Sequence, residues 1–337
     1  MKKIYILLLL ISLISLSGCT LKEKHYDIRN YMTYSEYHEN YKIMQITDLH
    51  FSSIDNIKED LAYLDLMIAE AEPDLLIFTG DIFTFASKAT IKYVLNHFDS
   101  YNIKWTLTYG NHDEQIYTSY EYPSLYAAQC KNALFRYFYD DDLTGIGNNI
   151  INLTREDKVV YQLFIIDSNS YSYQDGFGYD YVHQDQIEWY KKGIETINKD
   201  YHYNWTVGDE AIPSLIFQHI PLPEFENCNN ENRQELQEEN NNLGNPNGIL
   251  REDSCPPLFN SGFFDVIKAY KSTKGIFVGH DHINNYNINY QGVRFVYGVK
   301  SSDNMYNNSD MLGYNLITLH DGTFDTSFHY HTYKEVK

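Results

Sequence analysis

Short apolar runs alternate with amphipathic stretches along most of the chain. YKIMQIT (41–47), DLLIFTG (74–80) and IKWTLTYG (103–110) are nearly continuous apolar runs and predict buried strands. Between the first two, IKEDLAYLDLMIAEA places Leu61, Leu64 and Ile68 on one helical face, with Pro73 as the stop. Between the second and third, SKATIKYVLNHF predicts a helix capped by Ser87. This β-α-β-α-β series points to a layered α/β core. Further strands are predicted at 149–153, 158–167, 213–219, 274–280, 284–298, 314–320 and 323–333, with helices at 183–200 and 259–270. Residues 224–258 are rich in Asn and Glu, poor in apolar side chains, and read as a polar loop insertion, either a lid over a site or a disordered insertion. No internal repeat divides the chain, so residues 41–337 read as one domain.

Charge narrows the partners. The chain of 337 residues carries 46 acids against 26 bases, a formal net charge of −20. Such a surface repels nucleic acid and anionic headgroups at long range, so an anionic substrate needs a local positive centre. The N-terminus reads separately. Two lysines, an apolar run from Ile4 to about Leu16 and then small residues make a secretory signal, too short for a comfortable membrane span. LSGC, Leu16 to Cys19, resembles a bacterial lipobox. That resemblance implies cleavage after residue 18, acylation of Cys19, and an exported lipoprotein with its domain outside the cytoplasmic membrane; the polar residues 19–40 read as a tether followed by entry into the fold. Of the remaining cysteines, Cys130 reads as a buried helix residue, while Cys228 and Cys255 either close a disulfide or stay as thiols.

Metal-ligand side chains appear where the predicted strands run out. QITDLHF offers Asp48 and His50, FTGDIF offers Asp81, and YGNHDE offers Asn111, His112 and Asp113. IFQHIP adds His219, and FVGHDHI adds His280 and His282. The pairs 48/50 and 280/282 are two apart, on one side of an extended chain. Each alone is an ordinary turn or core residue. Together they occupy strand-to-loop junctions of an α/β chain, where ligands collect. Two divalent cations about 3.5–4 Å apart need a shared bridge, which the two oxygens of one carboxylate supply. Asp81 is assigned as that bridge, with Asp48, His50 and His282 completing one shell and Asn111, His219 and His280 the other. Imidazole suits zinc, iron and similar metals, and manganese is equally compatible with the carboxylates and the Asn carbonyl. Two carboxylates and a hydroxide against two dications leave about +1, a local anion trap in an acidic protein.

The ordered series DLH, GD, GNHD, a lone His after a strand, and GHDH resembles the calcineurin-like metallophosphoesterase superfamily. QITDLHF, FQHIPLPEF and FVGHDHIN resemble the branch related to purple acid phosphatases. The resemblance spans residues 42–300 and implies a four-layer α/β/β/α sandwich, two mixed sheets flanked by helices, with two metal ions at one sheet end. It further implies a hydrolase of small phosphoesters in which a metal-activated hydroxide attacks phosphorus. His112 would aid the leaving group, and Asp113 would orient the His112 ring. Two residues depart from the purple acid phosphatase pattern: Thr84 stands where those enzymes carry a ferric-ligating Tyr, and His50 where they carry Gly. A ferric-tyrosinate centre is therefore not expected. The competing readings are a nuclease on the same scaffold, disfavoured by the acidity, and a non-catalytic metal-binding surface lipoprotein. Monoester and diester substrates are both compatible with the sequence, which sets no oligomeric state.

Overall fold

The computed structural model describes residues 26–53, 56–138, 143–173, 176–238, 243–245 and 247–332. The signal segment and Cys19 lie outside the described residues. Two mixed sheets dominate. The smaller orders β15 (Thr323–Tyr330), β14 (Gly313–His320), β2 (Tyr41–Ile46), β3 (Leu75–Thr79) and β4 (Lys104–Thr108). The larger runs β1 (Met32–Glu36), β5 (Asn149–Arg155), β6 (Lys158–Ile165), β9 (Ser214–Phe217), β11 (Thr273–Val278), β13 (Val293–Tyr297), β12 (Asn284–Tyr290) and β10 (Gly248–Leu250). A two-stranded ribbon, β7 (Tyr171–Ser172) with β8 (Gly178–Tyr179), stands apart.

Strand alternation builds the layers. Ile43, Leu75 and Ile77 from the small sheet meet Leu163, Ile165, Phe217 and Phe277 from the large one in a shared core. Their neighbours Met44, Leu76 and Phe78 point the other way, onto α1 (Ile57–Ala71), α2 (Lys88–Ser100) and α3 (Glu121–Gln129). Phe164, Ile276 and Val278 point outward from the large sheet onto α4 (Gln184–Tyr201), α5 (Glu224–Glu238) and α6 (Phe263–Tyr270). Period-two side chains thus give each sheet two buried faces, and the α/β/β/α sandwich follows. Packing is tight: Phe78 stacks on Phe98 at 4.0 Å and meets Trp105 edge-on. Emptying such a site to Ala costs about 3–5 kcal/mol.

Two expectations need correction. Residues 224–258 are not a plain loop. They hold α5 and β10, and α5 anchors through Phe225, Cys228 and Leu236, with Phe225 stacked on Phe295 at 4.2 Å. So few apolar positions in so polar a stretch leave little periodicity to read. Within 19–40 the chain enters the fold at Met32–Glu36, which pairs in parallel with β5. Cys130 is the half-buried residue that ends α3, not a helix-core residue. Cys228 is a buried free thiol and Cys255 an exposed one, so no bridge joins them.

Candidate metal centre

The small-sheet strands β2, β3 and β4 run parallel, as do β9 and β11 of the large sheet. The loops leaving these five strands carry every proposed ligand. The sheets are tied just behind them: Gln45 Nε2 donates to Thr79 Oγ1 and to the Val278 carbonyl, both at 3.0 Å. The first two loops then zip together. Asp48 N–H donates to the Gly80 carbonyl (3.2 Å), His50 to Asp81 (2.8 Å), Phe51 to Ile82 (2.8 Å), and Thr84 back to Phe51 (3.1 Å).

Convergence of the side chains does not come from strand alternation. Asp48, His50, Asp81 and His280 all have left-handed backbones, with φ of 57°, 49°, 48° and 81°. Such conformations cost of order 1–3 kcal/mol each and persist where packing over-determines them. Here the determinants are close approaches that leave no room for a side chain. A Cβ on Gly110 would lie 2.3 Å from Asp81 Oδ1, and one on Gly279 2.0 Å from Thr47 Oγ1.

Asp48, His50, Asp81 and His282 bring one ligand atom each within 4.8 Å of one another, all buried. His50 Nε2 lies 3.0 Å from His282 Nε2 and 3.7 Å from Asp81 Oδ2, and His282 Nε2 lies 3.4 Å from Asp48 Oδ1. Beside them His219 Nε2 sits 3.2 Å from Asp81 Oδ2, and the His219 and His280 rings are 5.2 Å apart. Backbone carbonyls fix two tautomers. His282 Nδ1 donates to Tyr306 O and His219 Nδ1 to Thr79 O, both at 2.8 Å, so in each ring Nε2 is the nitrogen that faces inward and is placed to ligate.

Asn111 Nδ2 donates to Tyr171 Oη (3.0 Å), which leaves Oδ1 facing in. Asp81 Oδ2, Asn111 Oδ1, His219 Nε2 and His280 Nε2 are buried without hydrogen-bond partners. Orphaned acceptors clustered in one place are costly in isolation, and a cation among them removes the cost. The donor set therefore suits two cations. One expectation changes in detail: Asp81 Oδ1 already accepts the His112 N–H (2.7 Å), so Oδ2 faces both groups of ligands rather than the carboxylate offering an oxygen to each.

Electrostatics agree. Burial pushes Asp48 up, but the hydrogen bond and charge of His282, with His219 and Lys300, hold it well below the usual carboxylate range. Burial likewise opposes Asp81, and His219 and His50 outweigh it and pull it down. Burial keeps His50 and His280 neutral, His280 at about 3. Burial also works against a charge on His219, yet Asp81 overrides it and raises His219 to about 10. A positive charge beside Asp81 is what the site demands.

The remaining predicted residues divide. His112 is partly exposed, its ring 5.1 Å from that of His50 and its Nδ1 3.1 Å from Gln115 Oε1. Asp113 does not touch that ring. Its buried carboxylate accepts Phe83 N–H (2.7 Å) and Gly110 N–H (2.8 Å), pinning the Asp81 and Asn111 loops to each other. Thr84 and His50, the two departures noted in the sequence, are partners: His50 Nδ1 is 2.8 Å from Thr84 Oγ1.

Sequence reasoning missed the clamp behind Asp48. Lys300 Nζ donates to Asp48 O (2.6 Å), and Ser302 Oγ to Asp48 O and Leu49 O (3.1 and 2.8 Å). It missed Tyr306, stacked on His282 at 4.1 Å, and Glu252, whose Oε1 accepts Ile283 N–H. The polar run KSSDN directly after a strand was the available signal. Among the described residues of 224–258, the tail near Glu252 and Cys255 reaches these loops, while α5 packs on the outer face of the large sheet.

A family model described as calcineurin-like phosphoesterase matches residues 41–284. The chain belongs to the calcineurin-like phosphoesterase family. It is thus a metallophosphoesterase by family, and its two-sheet architecture is that of the family. Among relatives, an Arabidopsis thaliana protein named probable inactive purple acid phosphatase 14 is 27% identical over 293 residues, covering 76% of this chain and 69% of its own. Phosphatase DCR2 of Saccharomyces cerevisiae is 27% identical over 278 residues, covering 73% of this chain and 44% of its own length. A solved dimetal phosphatase from Danio rerio shares the fold, with a TM-score of 0.57 at 12% identity over 87% of this chain and 97% of that one.

Proposed function

We propose that this phosphoesterase hydrolyses small phosphate esters at a dinuclear centre, one ion held by Asp48, His50, Asp81 and His282 and the other by Asp81, Asn111, His219 and His280. The observation that carries this reading is the convergence of four buried, unpartnered ligand atoms beside the Asp48–His50–His282 group. Two divalent cations there supply Lewis acidity, which lowers the pKa of a water and neutralises phosphoryl charge. The chain does the rest. Lys300 and Ser302 hold the Asp48 backbone, Thr84 and Tyr306 aim His50 and His282, and Tyr171 turns the Asn111 oxygen inward. His112 sits at the open side with Nδ1 tied to Gln115, so Nε2 is the nitrogen that delivers a proton to the departing ester oxygen.

The word inactive in the name of the plant relative describes that protein; here the whole ligand set is retained and buried, which favours catalysis over a binding-only role. The test is hydrolysis of p-nitrophenyl phosphate and bis-p-nitrophenyl phosphate after chelation and after adding back manganese, zinc or iron. Activity should vanish with chelator, return with metal, and be absent in Asp81→Ala. Turnover that survives complete metal removal defeats the proposal. The LSGC motif supports a lipid anchor at Cys19 and a location outside the cytoplasmic membrane. Mass analysis of the mature N-terminus checks it, and an unacylated terminus rules it out.

A further inference from the structure

We infer that the β7–β8 ribbon is a specificity wall for a planar aromatic group on the ester, which makes aryl-substituted phosphodiesters the preferred substrate class. This rests on the phosphoesterase reading above and names the substrate side of the same site. The ribbon touches the second group of ligands at two points. Tyr171 Oη accepts from Asn111 Nδ2 at 3.0 Å, and the Tyr179 ring meets His280 edge-on at 4.4 Å. Tyr171 and Tyr179 pair across the two strands with rings 5.6 Å apart. Phe177 stacks on Tyr171 at 5.5 Å and 16°, and Tyr173 leans on Phe177 at 5.3 Å. Those last two rings stay 66% and 77% exposed, and the exposed Leu258 lies against Gly178 beneath them.

A pair of two-residue strands has little core of its own, so rings left this open contribute little to folding. Joined to the metal ligands through Tyr171, they offer flat faces on which a ring can stack. Charge decides between ester classes. Among the described residues, Lys300 is the one lysine or arginine whose side chain hydrogen-bonds to a proposed ligand, and its ammonium is buried on the Asp48 carbonyl. The ligand loops carry no lysine or arginine to meet the second negative charge of a monoester, and His112 is already assigned to the leaving oxygen. A diester carries one charge, and its second substituent reaches the wall.

The test uses three diesters with one leaving group: 4-nitrophenyl phenyl, 4-nitrophenyl ethyl and 4-nitrophenyl hexyl phosphate, each with metal-loaded protein. Stacking of one ring should favour the phenyl ester about tenfold in kcat/KM, through KM. The doubly substituted Tyr173→Ala, Phe177→Ala protein should lose most of that ratio. Equal rates for the phenyl and ethyl esters, a hexyl ester that matches the phenyl one, or a ratio unchanged in the double variant each overturn the wall. The wild-type comparison stands even if the variant misfolds. If no ester is cleaved with any metal, the phosphoesterase reading falls and the wall with it.

Discussion

Thr84→Val is the sharpest probe of how the chain tunes its first metal position. The two side chains have nearly the same shape, so the change opens no cavity and removes one hydroxyl. Thr84 is 2% exposed and its Oγ1 lies 2.8 Å from His50 Nδ1, itself in a ring with no solvent contact to fall back on. Leaving that nitrogen unpartnered costs roughly 1–3 kcal/mol. Part of the loss appears as freedom of the His50 ring, whose Nε2 must face Asp81 Oδ2 and His282 Nε2 together. Loss of a partner to a ligating His weakens metal binding about 10–100-fold. The assay is titration of metal-stripped protein with zinc or manganese against a fluorescent chelator, with circular dichroism as the check on folding. One of two binding events should weaken by that factor, and Thr84→Ser should restore it. A folded Val variant that binds both ions with unchanged affinity refutes the role given to Thr84 and the assignment of His50 as a ligand.

Other consequences follow from the same geometry. Asp113→Asn keeps one acceptor for two backbone N–H groups and turns an amide NH2 toward the other, so stability in urea should fall by about 2 kcal/mol; a change under about 0.5 kcal/mol means the carboxylate is not the pin described. Gly110→Ala drives a methyl to within 2.3 Å of Asp81 Oδ1 and 2.6 Å of His219 Cδ2, and elemental analysis should find fewer than two metals per chain; full loading contradicts the packing argument. Metal uptake should also be pH-linked. Burial lowers His219 but Asp81 raises it to about 10, so at neutral pH the metal-free ring is protonated and must release that proton to bind. The raised pKa means affinity grows with pH below that value, by about tenfold per unit between pH 6 and 8, where a single proton is lost. A flat affinity over that range shows that His219 is not a ligand.

The periodicity of the sequence was enough to place most strands and helices and to point to a layered α/β core, while the four-layer sandwich was implied by the family resemblance. Ile43 and Met44, or Leu76 and Ile77, differ in face because side chains alternate along any extended strand, and this needs no tertiary information. The order of DLH, GD, GNHD and GHDH was equally local, since each motif follows its own apolar run. Local pattern failed where stability comes from a distant partner. α5 exists because Phe225, Cys228 and Leu236 find the outer face of the large sheet, and β1 because β5 lies beside it. Asp113 looked like a partner for His112 by adjacency, yet two backbone donors from separate loops claim it. Nothing local reveals that Lys300 and Ser302 reach back to Asp48, because the sequence separation is 252 and 254 residues. The sequence by itself therefore determined which side chains are present at which strand ends. Only the tertiary structure decided how they meet, because left-handed turns at Asp48, His50, Asp81 and His280 are held by contacts from other strands and have no signature in their own residues.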